Sequence, residues 1–209
     1  MSQEPRIAFV TLGCVKNEVD TDKMQARLVA AGFSLVDDVN DADLVIVNTC
    51  ALLASAVEES LEVIFDLVGR ENAAGGELKV LVAGCMPSRY GDSLSEELVE
   101  AAGFLAAGEE DHVVEEVNRL LGLEGCLMGG GPNLLRHAHP SSAYVKISDG
   151  CDRFCSYCMI PHIRGRYHSY TLDQIDDEVA ELVCNGVREI VLIGQDTGIW
   201  GSDFDEPAT

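Results

Sequence analysis

Basic residues are scarce in this chain: 14 lysines and arginines stand against 36 aspartates and glutamates, a formal net charge of −22 over 209 residues. That balance opposes the phosphate backbone of nucleic acids and an anionic membrane surface, and it favours a basic partner. Long apolar runs are missing too. None approaches the roughly 18 residues of a membrane-crossing helix, so no membrane span is expected. The N-terminus, Met1 to Pro5, is polar and lacks the basic and apolar regions of a secretion signal. Neither G-x-G-x-x-G nor a Walker A sequence occurs, so phosphate binding of the Rossmann or P-loop kind is not indicated. A cytosolic location is expected on these grounds. Thiols stay reduced there, and the eight cysteines read as metal ligands or reactive groups before they read as disulfides.

Three cysteines form a compact motif, Cys151-Asp152-Arg153-Phe154-Cys155-Ser156-Tyr157-Cys158. A C-x3-C-x2-C spacing arises by chance in roughly one chain in a hundred of this composition. Three thiolates without a fourth at motif spacing suit an iron–sulfur cluster that keeps one iron open to a substrate. A closed structural zinc is the competing reading; it needs a fourth ligand, which Cys184 or Cys126 would have to supply.

Before this motif the chain alternates. Arg6–Gly13, Leu44–Thr49 and Lys79–Gly84 are continuous apolar runs of the kind buried on both faces of a parallel sheet, with a shorter strand expected at Phe33–Val36. Helical spacing covers Asn17–Ala31, Ser55–Val68, about Ser93–Ala102 and about Asp111–Leu121. The expected fold class is α/β: an open parallel sheet over residues 1–122, a Gly- and Pro-containing linker over 123–142, and a second domain from 143 to 209. That second domain reads as a strand, the cysteine loop, a helix over Leu172–Val183 and a buried strand over Val187–Ile193. It is one βαβ unit of a larger barrel or sheet, and an incomplete one.

The sheet turns three scattered residues into a second set. Cys14, Cys50 and Cys85 each follow an expected strand, so parallel strands bring them to one edge, where open α/β sheets bind their ligands. Three small buried core residues are the alternative.

The loop Cys151, Cys155, Tyr157, Cys158 resembles that of the radical S-adenosylmethionine enzymes. The pieces Leu12-Gly13-Cys14-Val15-Lys16-Asn17, Asn48-Thr49-Cys50, Gly84-Cys85 and Cys158-Met159-Ile160-Pro161 narrow the resemblance to their methylthiotransferases. Ala56–Ser60 is more like the RimO-type branch, which modifies an aspartate at its β-carbon in a small-subunit ribosomal protein, than like the transfer-RNA branch. The resemblance implies two [4Fe-4S] clusters. One sits on Cys151, Cys155 and Cys158 and binds S-adenosyl-L-methionine; the other sits on Cys14, Cys50 and Cys85 and holds the sulfur to be inserted. It also implies an electron donor such as flavodoxin or ferredoxin, an adenine contact at Tyr157, and contact with the methionine amino group at Gly194-Gln195. Arg164 and Arg166 either meet carboxylates or stay solvated, and Tyr170 stands where the family often has arginine. No nucleic-acid partner is expected for these residues, and the single βαβ unit is expected to be insufficient for activity.

Overall fold

The computed structural model describes residues 4–72, 74–123 and 141–205. Two compact units divide the chain, Met1–Leu134 and Leu135–Thr209. The expected linker at 123–142, with Cys126, lies almost entirely outside the described residues.

The first unit is built on a five-stranded, all-parallel sheet. Its strands are β1 (Arg6–Thr11), β2 (Ser34–Leu35), β3 (Leu44–Thr49), β4 (Lys79–Gly84) and β5 (Gly103–Ala106), in the order β2-β1-β3-β4-β5. Every residue of β3 is buried, which is why its first four residues, Leu44 to Val47, are apolar without alternation. Helix α1 (Val15–Ala30) lays Met24 and Leu28 into a core with Ile7, Ile46 and Leu81. On the same core sit Val113 and Val117 of α5 (Val113–Leu121), which a short 3-10 turn at Glu110–His112 precedes. Each such side chain contributes about 1.5–3 kcal/mol when fully buried. Helix α2 (Ala54–Leu67) buries Ile64 and Leu67.

One helix differs from expectation. In place of a helix over 93–102 there is the shorter α4 (Asp92–Glu97), and a further short helix not anticipated from sequence, α3 (Cys85–Tyr90), precedes it. Gly91, at φ +54 and ψ −134, breaks the path between them, and Leu98, at φ −106 and ψ +63, ends the second. Leu94 and Leu98 have helical spacing and are both buried, but the backbone at each end limits the helix.

The second unit pairs β6 (Ser142–Lys146) with β9 (Glu189–Ile193) in parallel, as expected of a βαβ unit. An antiparallel pair not anticipated from sequence lies between them: β7 (Ser148–Asp149) with β8 (His168–Ser169). This pair closes the base of the segment carrying the cysteine loop and the one-turn helix α6 (Ile160–Ile163). Strand β9 is a correction, because it is not buried on both faces: Val191 is 38% and Leu192 51% exposed among the described residues. Helix α7 (Leu172–Cys184) packs Ile175 and Leu182 on Val145 and Val187. It starts with a full capping box, in which Thr171 Oγ1 accepts from the Gln174 amide and Gln174 Oε1 accepts from the Thr171 amide. Thr171→Ala should cost about 1 kcal/mol and lower the melting temperature of this unit by about 4–8 °C, read by calorimetry. No helix among the described residues is long and apolar enough to cross a membrane.

Candidate metal centres

In the first unit the strand order reverses between β1 and β3. Ligand crevices of open α/β sheets lie at such a point, beyond the carboxyl ends of the strands. Cys14 and Cys50 follow those two strands, and Cys85 follows β4. The ladder is in step here, with Thr11 opposite Asn48 and Thr49 opposite Gly84. Cys14 occupies the N-cap position of α1 and is exposed; Cys50 is half-buried; Cys85 opens α3 and is buried.

A pair of asparagines, neither recognised from sequence as part of a site, organises these ends. Asn17 is fully buried. Its Nδ2 donates to Leu12 O at 2.9 Å and to Thr49 O at 2.8 Å, and its Oδ1 faces Cys14 Sγ at 3.7 Å and Cys85 Sγ at 3.8 Å. Asn48, equally buried, donates to Asn17 O at 2.9 Å and to Thr21 Oγ1 at 3.0 Å. Thr49 Oγ1 donates to Ala83 O at 2.6 Å and accepts from the Met86 amide at 3.2 Å. Ser60 Oγ from α2 lies on the Cys50 amide at 3.3 Å and on the Cys50 carbonyl at 3.1 Å. The strand-end backbone is therefore held by side chains. Gly13, at φ +96, leaves room: a Cβ there would lie 2.7 Å from Cys50 Cβ and 3.2 Å from its Sγ. A polar residue closing an otherwise apolar strand was the available signal for Asn48.

In the second unit Cys151, Cys155 and Cys158 lie on the loop beyond β7, half-buried, exposed and half-buried in turn. The loop folds back on itself where the Cys151 amide donates to Gly165 O at 3.1 Å and the Cys158 amide to Cys155 O at 3.0 Å. Phe154 takes a left-handed conformation at φ +45, a strained choice for a ring-bearing residue. Arg166 lies over its ring at 4.7 Å and His162 meets it edge-on at 6.1 Å.

Charged residues brace the loop from below. Lys146 Nζ and Arg164 Nη1 approach one oxygen of Asp149 at 3.3 and 3.4 Å, with the two cationic side chains only 4% and 3% exposed. The Arg164 side chain is thus not solvated, and the carboxylate it meets here is its own chain's. Arg153 pairs with Asp196 at 2.7 Å, and the Tyr167 hydroxyl donates to Asp196 O at 3.3 Å. The Asp196 hydrogen bond, and then its charge, hold the Arg153 guanidinium above its ordinary value, with Cys151 and Cys155 acting in the same direction. These contacts tie the cysteine loop to the turn after β9, which carries Gly194 and Gln195. A Cβ on Gly194 would fall 2.4 Å from Ser148 Oγ, so this turn approaches β7 closely. Burial pushes the Asp203 carboxyl up, but hydrogen bonds from Ser169 outweigh it and hold the group below the usual range. Tyr157 stands 88% exposed beside the thiols. The Tyr170 side chain packs against the core of this unit, and its backbone O accepts from Trp200 Nε1 at 3.0 Å.

Cys184 is no fourth ligand. It ends α7, at the edge of the sheet where β9 begins, opposite the edge that bears the loop. Among the described residues no three His, Cys, Asp or Glu side chains close on a metal ion as they stand. The donor sets still fit iron–sulfur chemistry, since each consists of three thiols carried on loops at a strand's carboxyl end.

Residues 6–106 match the family described as uncharacterized protein family UPF0004, and residues 145–206 match the radical SAM superfamily. Among curated proteins the chain is 40% identical over 207 residues to the ribosomal protein uS12 methylthiotransferase RimO of Syntrophomonas wolfei, covering 95% of this chain and 47% of that protein. The protein of the same name from Heliobacterium modesticaldum is 39% identical, over 95% of this chain and 45% of its own length. The chain spans about half the length of the curated relatives it matches. Among solved structures, the cobalamin-dependent S-adenosylmethionine radical enzyme OxsB aligns with a TM-score of 0.51 at 14% identity, over 92% of this chain and 34% of that one. At that identity the likeness concerns the fold alone. Both family matches fall on the two cysteine-bearing units, and along 95% of its length the chain is similar to the RimO-type methylthiotransferases.

Proposed function

We propose that these residues carry both cluster-binding parts of a methylthiotransferase acting on an aspartate of ribosomal protein uS12. The observation that carries the reading is the placement of Cys14, Cys50 and Cys85 at one sheet edge, in the same chain as a C-x3-C-x2-C loop. One three-cysteine set alone would describe many radical enzymes; the pair describes a reaction that needs both a radical and a sulfur source.

In this reading Cys151, Cys155 and Cys158 hold a [4Fe-4S] cluster, which when bound supplies the electron that splits the sulfonium of S-adenosylmethionine. Tyr157 would contact the adenine, and the Gly194-Gln195 turn would hold the methionine amino group. The Arg153–Asp196 pair keeps that turn and the cysteine loop in fixed relation. Cys14, Cys50 and Cys85 hold a second cluster, and residues 123–142 join the two domains. An electron donor of the flavodoxin or ferredoxin class is required. The acidic balance of 36 carboxylates to 14 basic side chains suits a basic ribosomal protein and disfavours transfer RNA.

Anaerobic reconstitution tests the ligands. The chain should take up about eight irons, as two four-iron clusters, and Cys14→Ala should halve that number. A load of about four irons, insensitive to Cys14→Ala, would remove the second cluster from the reading. The substrate is tested by mass spectrometry of uS12 from a strain lacking the gene. Loss of the methylthio increment supports the assignment, whereas intact uS12 with altered transfer RNA transfers it to the other branch.

A further inference from the structure

The contacts of Asn17 have a selectivity that hydrogen-bonding rules make explicit. Its Nδ2 donates to two backbone carbonyls, Leu12 O and Thr49 O, which can only accept. That fixes which way the amide faces. The oxygen must point the other way, and there it meets two thiols, Cys14 Sγ at 3.7 Å and Cys85 Sγ at 3.8 Å, both as donors. These partners are 3 and 68 residues away in sequence and belong to different strand ends. One side chain therefore ties the end of β1, the end of β3 and the start of α3 to a single point.

Cys50 belongs to the same neighbourhood. The position a Cβ on Gly13 would take is 3.2 Å from Cys50 Sγ and 3.3 Å from Asn17 Nδ2. The amide is shielded from water, as Asn17 is fully buried. In a site of low polarity such bonds are stronger and their loss is not replaced by solvent.

We propose that Asn17 is the positioning residue of the first three-cysteine set: its amide holds Cys14 and Cys85 together as thiols before any metal arrives. This extends the reading of Cys14, Cys50 and Cys85 as one ligand set, but concerns the metal-free protein. Assembly then starts with two of the three sulfurs already drawn to one amide, and the entropy of bringing those loops together is met on folding instead of on binding.

The test uses the full chain without iron, reduced, with Cys126, Cys151, Cys155, Cys158 and Cys184 replaced by serine. Dibromobimane, which joins two neighbouring thiols, should bridge Cys14 to Cys85, as located by peptide mass. Asn17→Ala and Asn17→Asp should each lower the bridged fraction about five-fold, since each removes the Nδ2 donors that set the amide. Unchanged bridging in either variant with a native far-ultraviolet spectrum would overturn the assignment. If neither variant folds, the infrared S–H stretch decides with Asn17 in place. Bands that disappear on Cys14→Ser and Cys85→Ser should lie at lower wavenumber than that of Cys50; bands at the Cys50 position would refute the contact. Because the assays contain no iron, failure of the second cluster would leave this result standing. Failure here would leave the iron count to be judged by reconstitution.

Discussion

Gly150→Ala should strip the Cys151–Cys158 loop of its iron and leave the share of the first unit in place. Gly150 has φ +71, and a Cβ there would lie 2.0 Å from Arg166 O, 2.6 Å from the carbon of that carbonyl and 2.7 Å from Gly165 O. All three atoms are backbone, so no side chain can swing aside. Gly165 O also accepts from the Cys151 amide, the bond that closes the loop on its base. Separating the two strands of that base moves Cys151 away from Cys155 and Cys158. The cost should be on the order of 4 kcal/mol, in the range reserved for changes that a fold cannot absorb. Reconstituted iron should fall from about eight to about four per chain, with the remainder lost on adding Cys14→Ala. A full load in Gly150→Ala would mean that the loop tolerates an open base.

The complementary loss is expected from Gly84→Ala. Here φ is +88, and the added Cβ would sit 2.2 Å from Asn48 Oδ1 and 2.9 Å from Thr49 O. Asn48 cannot retreat, because it is fully buried and its amide is engaged by Asn17 O and Thr21 Oγ1. The displacement is passed to α1 and hence to Cys14, while Cys85 moves with its own neighbour. A cost on the order of 4 kcal/mol is again expected, and the first unit should lose its iron and its cooperative melt. Gly91→Ala is the control. At φ +54 and ψ −134 it shares the glycine-only backbone region of Gly84, but nothing lies within 4 Å of the added Cβ, so only the backbone is penalised, about 1–3 kcal/mol. If Gly84→Ala melts like Gly91→Ala, the packing between β4 and Asn48 does not govern the site.

Much of the scaffold was legible because it depends on local pattern. The apolar runs of β3 and β4 state that they are buried on both faces, which in β1 holds only at Ile7 and Ala8, and a cysteine past each end states where the thiols emerge. Other parts depend on partners distant in sequence. Asn17 gains its meaning from Asn48, Thr49 and Cys85, and no window around it contains any of them. The two-residue strands β7 and β8 are too short for a period, yet they form the base of the cysteine loop. In β9 the run of apolar residues reads the same whether or not its faces are covered; Val191 and Leu192 are exposed. The helix expected at about 93–102 illustrates the limit in another way: Leu94 and Leu98 keep helical spacing, and the backbone conformation at Leu98 ends the helix early.

The graded burial of the first set, from exposed Cys14 through half-buried Cys50 to buried Cys85, gives the site a front and a back. A chelator, an oxidant or an alkylating reagent diffusing from solvent reaches Cys14 first and Cys85 last. Damage is thus ordered: a single early hit falls on the outer thiol, while the inner one remains against the amide.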